Sequence, residues 1–239
     1  MNVTILAVTK RYNSVCIAGV DEQRKWIRPV KVGELSLENI RVNGSNYVSV
    51  GNKYEFAFSG HSPLQCQTEN YTIDTRQDIV HRATLTETQK RDLFLSLSEN
   101  SLITSNPNLD ITRILKDRNK SLVLLGPVRI QRVYIYKNGN MKAPNITFNI
   151  NSINVKGPNN RTDLPCTDLK FRAFAKELLR QRNANSITLE ENELKNLLRY
   201  NQVFIVIGLT TLFRGENWPM IIGVHTLPDY TQNINYNDL

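Results

Sequence analysis

Two stretches of this chain share one grammar, and that repetition constrains its fold more than any other feature. VCIAGVDEQRKWIRPV (15–30) and VFIVIGLTTLFRGENWPMIIGV (203–224) each run through an aliphatic segment to a Gly and an apolar residue. Each then passes through a polar loop and re-enters an apolar segment at a Trp, and these are the chain's only two Trp. A local object written twice in 239 residues predicts two similar β units, each of a size that can bury a workable core.

The segments between agree. VTILAVTKR and SVCIAGV are β-type runs separated by YN, which predicts a hairpin; WIRPVKV follows, with Pro29 placing it at an edge or bulge. NKYEFAFSG puts Tyr54, Phe56 and Phe58 on one face, and ENYTID reads as a further strand. The period then changes. TLTETQKRDLFLSLSE predicts a helix capped by Thr84 and Glu87, and NPNLDIT with KDRNK reads as a connector. SLVLLGPVRIQRVYIY is one long strand bent at Gly126-Pro127, Asn138-Gly139 marks a hairpin, and ITFNINSINV returns. CTDLKFRAFAKELLRQR is an amphipathic helix, and TLEENELKNLLRY a second, capped by Thr188 and Glu191. Two closing β runs follow. Strands, helix, strands, helices, strands, without βαβ alternation, predict a mainly β chain with helical insertions (α+β): two small β-barrels of the OB or SH3 type, divided as 1–118 and 119–239.

Charge points to a partner. The net charge is +8 and the pI about 9.4, which favours a polyanion. The excess is concentrated: residues 120–182 carry twelve basic and three acidic side chains, and residues 1–31 carry six and two. Residues 183–239 are net acidic. Basic residues stand beside aromatics in KRYNS (Lys10, Arg11, Tyr12), in RKWIR (Arg24, Lys25, Trp26, Arg28) and in FRGENW (Phe213, Arg214, Trp218). An aromatic face stacks on a base while its basic neighbours neutralise phosphate. The helix 167–182 adds Lys170 and Arg172. The competing explanation for each Trp is a plug at the mouth of its own β unit, and Trp218, beside Glu216 and Pro219, fits that role better than Trp26 does.

Other classes lack support. No apolar run approaches the ~20 residues of a membrane helix, and the first residues read as a strand rather than a secretion signal. Cys16, Cys66 and Cys166 are widely spaced and odd in number, which predicts reduced thiols in a cytoplasmic setting, with Cys16 in the core. His61, His81 and His225 have no metal-ligand spacing, and no Gly-rich phosphate loop or nucleophile motif is present. No cofactor, metal or catalytic residue is expected.

VCIAGVDEQRKWIRPV resembles the opening motif of the dual OB-containing domain family, in which a strand ends in AG and a short loop leads to a WIRPV-like segment. QTENYTI is similar to its acidic-aromatic strand, and IVIGLTTLFRGENWPMIIGV to its closing motif. The resemblance spans Val3 to Val224. It implies two OB-type barrels and a nucleic-acid-binding or target-sensing role, as an accessory subunit of a prokaryotic defence or mobile-element system. It implies no reaction. The chain departs at Thr211-Leu212, where a basic residue is expected after LT; Arg214 is near enough to replace it. The alternative reading is a scaffold that binds a protein partner or a nucleotide-type ligand and regulates a separate effector enzyme. Its motivation is the acidic C-terminal segment and the helix near Leu194.

Overall fold

The structure, a computed structural model, describes residues 1–11, 14–42, 46–213 and 215–234, without the Arg11 side chain. The chain begins with β1 (Asn2–Arg11), β2 (Ser14–Val20), β3 (Trp26–Val30), β4 (Arg41–Val42), β5 (Asn46–Tyr47) and β6 (Asn52–Glu55). β7 (Phe58–His61), β8 (Asn70–Ile73) and β9 (Val80–Thr84) follow. Three helices come next, α1 (Glu87–Leu97), α2 (Ser101–Thr104) and α3 (Ile111–Asp117). The second half holds β10 (Leu122–Leu125), β11 (Arg129–Asn138), β12 (Asn140–Met141), β13 (Asn145–Ile150), β14 (Ile153–Asn154) and β15 (Asp163–Pro165). It closes with α4 (Leu169–Gln181), β16 (Ser186–Glu190), α5 (Glu191–Leu198), β17 (Gln202–Leu209) and β18 (Pro219–Leu227).

One sheet, in the order β7-β8-β3-β2-β1-β6-β9, forms the first unit. It curls around Val3, Ile5, Val15, Ile17, Ile27, Tyr54 and Phe56. The second unit is built from a β10-β17-β18 sheet and a β12-β11-β13-β14 sheet, the latter carrying β15 on β13 and β16 on β11. Its core includes Val133, Ile146, Phe148, Phe171, Leu189, Ile205 and Ile221. Leu102 and Ile103 of α2, and Ile111, Ile114 and Leu115 of α3, also pack there.

A third cluster explains why two strands read as unbroken apolar runs. Leu6, Val20, Phe94, Leu124, Phe204 and Val206 pack between the units. β1 therefore buries Val3, Ile5 and Val8 inside the first barrel and Leu6 on the other side. β17 likewise sends Val203, Ile205 and Ile207 inward and Phe204 and Val206 outward. A strand covered on both faces loses the polar alternation of a half-exposed one. The units touch closely because Gly223 lacks a side chain: a Cβ there would lie 2.6 Å from the Leu6 carbonyl oxygen.

Several local expectations are corrected. The first helix is capped by Thr86 with Gln89, since Thr84 is already paired with Asn52 in the β6–β9 ladder. Thr188 caps nothing: it lies in β16 opposite Tyr134, and α5 starts after Glu190 with no side-chain cap. The connector contains α3, whose first turn is held by Asp110 accepting from the Arg113 amide at 3.0 Å. The bent strand is two strands in different sheets. They part at Gly126, which has φ 151°, and the Asn100 side chain holds both backbone groups of that residue. Pro29 is interior, between β2 and β8, yet it disrupts no bond. The Arg28 amide donates to the Glu69 carbonyl, so the nitrogen of residue 29 points the other way, where the ladder with β2 has ended at Gly19–Ile27. Cys16 is exposed rather than in the core.

Candidate functional site

Between the units lies a cleft of about 1920 Å³. The ends of β1 and β2 contribute Thr9, Lys10, Ser14 and Cys16 to its wall, and β3 with the following loop contributes Arg28, Val30 and Lys31. The end of β11 brings Lys137, and α4 brings Arg172, Lys176 and Arg180. The loop between β17 and β18 brings Leu212, Phe213 and Trp218. Among the described residues, eight lysines and arginines line this cleft, against Glu34 and Glu177.

The position of α4 follows from one buried carboxylate. Asp168 caps the helix, accepting from the Phe171 amide at 2.6 Å, and its other oxygen accepts from the Val224 amide of β18 at 3.1 Å. Thr9 of β1 bridges to the same residue. The helix start is thus pinned where β1 and β18 meet. Burial pushes the Asp168 carboxyl up to about 6, the two amide bonds acting in the opposite direction. One turn further on, Arg172 extends over the end of β1 and donates from Nη1 to the Lys10 carbonyl at 3.0 Å.

Three of the cleft arginines have carboxylate partners. Arg161 pairs with Asp163 at 2.9 Å and Arg180 with Glu177 at 2.6 Å. Arg28 lies 3.4 Å from Glu69, with side chains only 11% and 7% exposed. Its Nη2 donates to the Ser121 hydroxyl at 2.9 Å, and that hydroxyl donates to Glu69. The triad joins β3, the approach to β8 and the approach to β10, and so ties the units together. Burial lowers the Arg28 pKa, with Glu69 opposing. Cys16 sits nearby on the cleft wall.

The sequence-named residues divide. Lys10, Arg28 and Arg172 come together on the cleft. Arg24 and Lys25 project from the β2–β3 turn, away from the cleft lining, and Lys25 donates to the Tyr71 hydroxyl at 3.1 Å. Trp26 is half-buried against the cluster of Ala7, Ala18 and Leu122 between the units. Lys170 is engaged by Asp229 at 2.7 Å and lies 4.2 Å from the Tyr230 ring centre. Tyr12, Arg214 and the Arg11 side chain lie outside the described residues. Lys31, Lys137 and Arg161 join the cleft from outside the basic-aromatic clusters of the sequence, although Lys137 flanks the Asn138-Gly139 turn. Trp218 lines the cleft, its indole Nε1 donating to the Phe213 carbonyl at 3.3 Å. Phe213 and Leu212 are each 51% exposed.

Among the described residues, no cluster of three or more His, Cys, Asp or Glu could hold a metal, and no helix is long and apolar enough to cross a membrane. Two curled, mainly antiparallel β units with a basic cleft between them define a two-unit OB-type protein. A family model for the Dual OB-containing domain matches residues 1–224, and the chain belongs to that family. Its OB units suggest binding of nucleic acid or another ligand. No curated protein and no solved structure matches the chain.

Proposed function

We propose that this protein binds single-stranded nucleic acid in the cleft between its two OB-type units. Lys10, Lys31, Lys137, Arg172 and Lys176 contact phosphates, and the rim of Leu212, Phe213 and Trp218 receives bases. The observation that carries this reading is the composition of one cleft: among the described residues, eight cations against two carboxylates, beside an exposed aromatic rim. Phosphates account for the cations, but a duplex keeps its bases stacked inside and leaves an aromatic rim unused. An unpaired strand uses both, each stacked base contributing about 1–3 kcal/mol.

A second reading is a protein-binding scaffold or nucleotide-ligand sensor acting on a separate effector enzyme. Leu64, Leu212 and Phe213, each 51% exposed, favour it, since the Leu212 amide donates to Gln65 and brings their loops together. The wider role we propose, a cytoplasmic accessory subunit of a prokaryotic defence or mobile-element system, rests on family resemblance.

The test is fluorescence anisotropy with labelled oligo-dT, oligo-U and a duplex, for the wild type, Lys137→Gln and the off-cleft double variant Arg24→Ala/Lys25→Ala. Single strands are expected to bind most tightly, Lys137→Gln to weaken that binding, and the double variant to change it less. Equal binding of duplex and single strand would remove the argument from the aromatic rim. A partner protein retained at high salt without nucleic acid would favour the second reading.

A further inference from the structure

Arg172 differs from the other cleft arginines. Arg28, Arg161 and Arg180 each have a carboxylate, whereas Arg172 has none among the described residues. It is half-buried. Its Nη1 donates to the Lys10 carbonyl, and its Nε is buried without a partner. Asp168, one turn back, is committed to two backbone amides and makes no ion pair with it. The cationic form is left undercompensated, and its pKa falls through burial. A half-buried charge without a counter-ion is unfavourable, and a neutral amide could make the single bond to the Lys10 carbonyl. Lys10 and Lys176 line the same cleft, so an anion reaching Arg172 enters a positive field.

We propose that Arg172 is the centre of a single-phosphate subsite at the corner where α4 crosses the end of β1. The guanidinium receives one phosphate as the counter-ion that none of the described residues supplies. Because it also holds the Lys10 backbone, the bound phosphate links α4 of the second unit to β1 of the first and fixes the strand at that point in the cleft. The inference deepens the nucleic-acid reading and rests on it for the source of the phosphate.

The test uses thermal melting with added inorganic phosphate, and anisotropy with labelled oligo-dT, on wild type, Arg172→Met and Arg172→Lys. Phosphate is expected to raise the wild-type melting temperature, Arg172→Lys less and Arg172→Met not at all. Arg172→Met without phosphate is expected to melt no lower than wild type, because an uncompensated charge has gone. Oligo-dT is expected to bind Arg172→Met roughly tenfold more weakly, the scale of one charge-assisted contact. Should Arg172→Met fail to fold, Arg172→Lys decides: an undiminished phosphate response there overturns the subsite. If oligo-dT binds all three proteins equally, the subsite is refuted and the cleft reading stands. If phosphate acts through Arg172 but no oligonucleotide binds, the subsite stands and the nucleic-acid reading fails. If neither acts, both fail.

Discussion

Glu69→Ala tests whether Arg28 is a structural tie rather than an open phosphate contact. In the folded protein Arg28 and Glu69 are 11% and 7% exposed and share the Ser121 hydroxyl. Removing the carboxylate strands a guanidinium that water barely reaches. Breaking one side of a buried pair in this way costs about 3–5 kcal/mol. For a chain of this size, about 2–4 °C is lost per kcal/mol, so the melting temperature should fall by roughly 6–20 °C. Circular dichroism melts read this directly. The control is Glu38→Ala, which removes an Arg41–Glu38 pair whose side chains are 39% and 69% exposed; such a pair contributes about 0–1 kcal/mol. Arg28→Met/Glu69→Leu, which removes both charges, should recover most of the loss. If Glu69→Ala melts within a degree or two of Glu38→Ala, the triad does not hold the units together. Arg28 would then return to the set of available phosphate contacts.

Two further predictions concern the contact between the units. Burial pushes the His225 imidazole down to about 4, so the unfolded chain protonates first and stability rises with pH between about 4 and 6.5. Asp168, pushed up to about 6, does the opposite: the folded state holds its proton more tightly, so stability falls as pH rises from about 4 to 6. His225→Gln removes the first contribution. In urea titrations its stability near pH 4, relative to that near pH 6.5, should exceed the wild type's corresponding difference by up to roughly 3 kcal/mol. An unchanged difference would show that His225 is not desolvated. Gly126→Ala should cost about 2–4 kcal/mol, since φ is 151° and the new Cβ would lie 2.5 Å from the Phe204 ring; a melt unchanged from wild type would contradict that packing.

The strands that share both cores were legible because burial on two faces leaves an unbroken apolar run, as in VTILAV and VFIVIGL. The helix at 169–181 was legible from its 3.6-residue period. The seven residues of α3 escaped because two turns are too short to establish that period, and because its buried face completes a core built elsewhere. Helix caps were misplaced where a strand ran to within a residue or two of the helix, since a Thr in a ladder and a Thr at a helix start look alike in sequence. The site was legible only in outline. All eight cleft cations fall in the two segments with a marked basic excess, 1–31 and 120–182, yet the choice among them depended on long-range packing. Within RKWIR, Arg24 and Lys25 lie in the turn, Trp26 packs between the units, and Arg28 of the five residues lines the cleft.

The proposed function requires the cleft to bind a nucleic-acid strand through its phosphates. Among the described residues, Lys31, Lys137 and Arg172 form no ion pair, and eight cations line the cleft. At about 0.7 per neutralised phosphate on a single strand, log K against log salt should have a slope between roughly −2 and −6. The decisive measurement is that slope for oligo-dT, from anisotropy titrations across a range of potassium chloride. A slope in that interval, made shallower by Lys137→Gln, is the predicted result. Binding that is absent even at low salt, or that does not change with salt, contradicts the account.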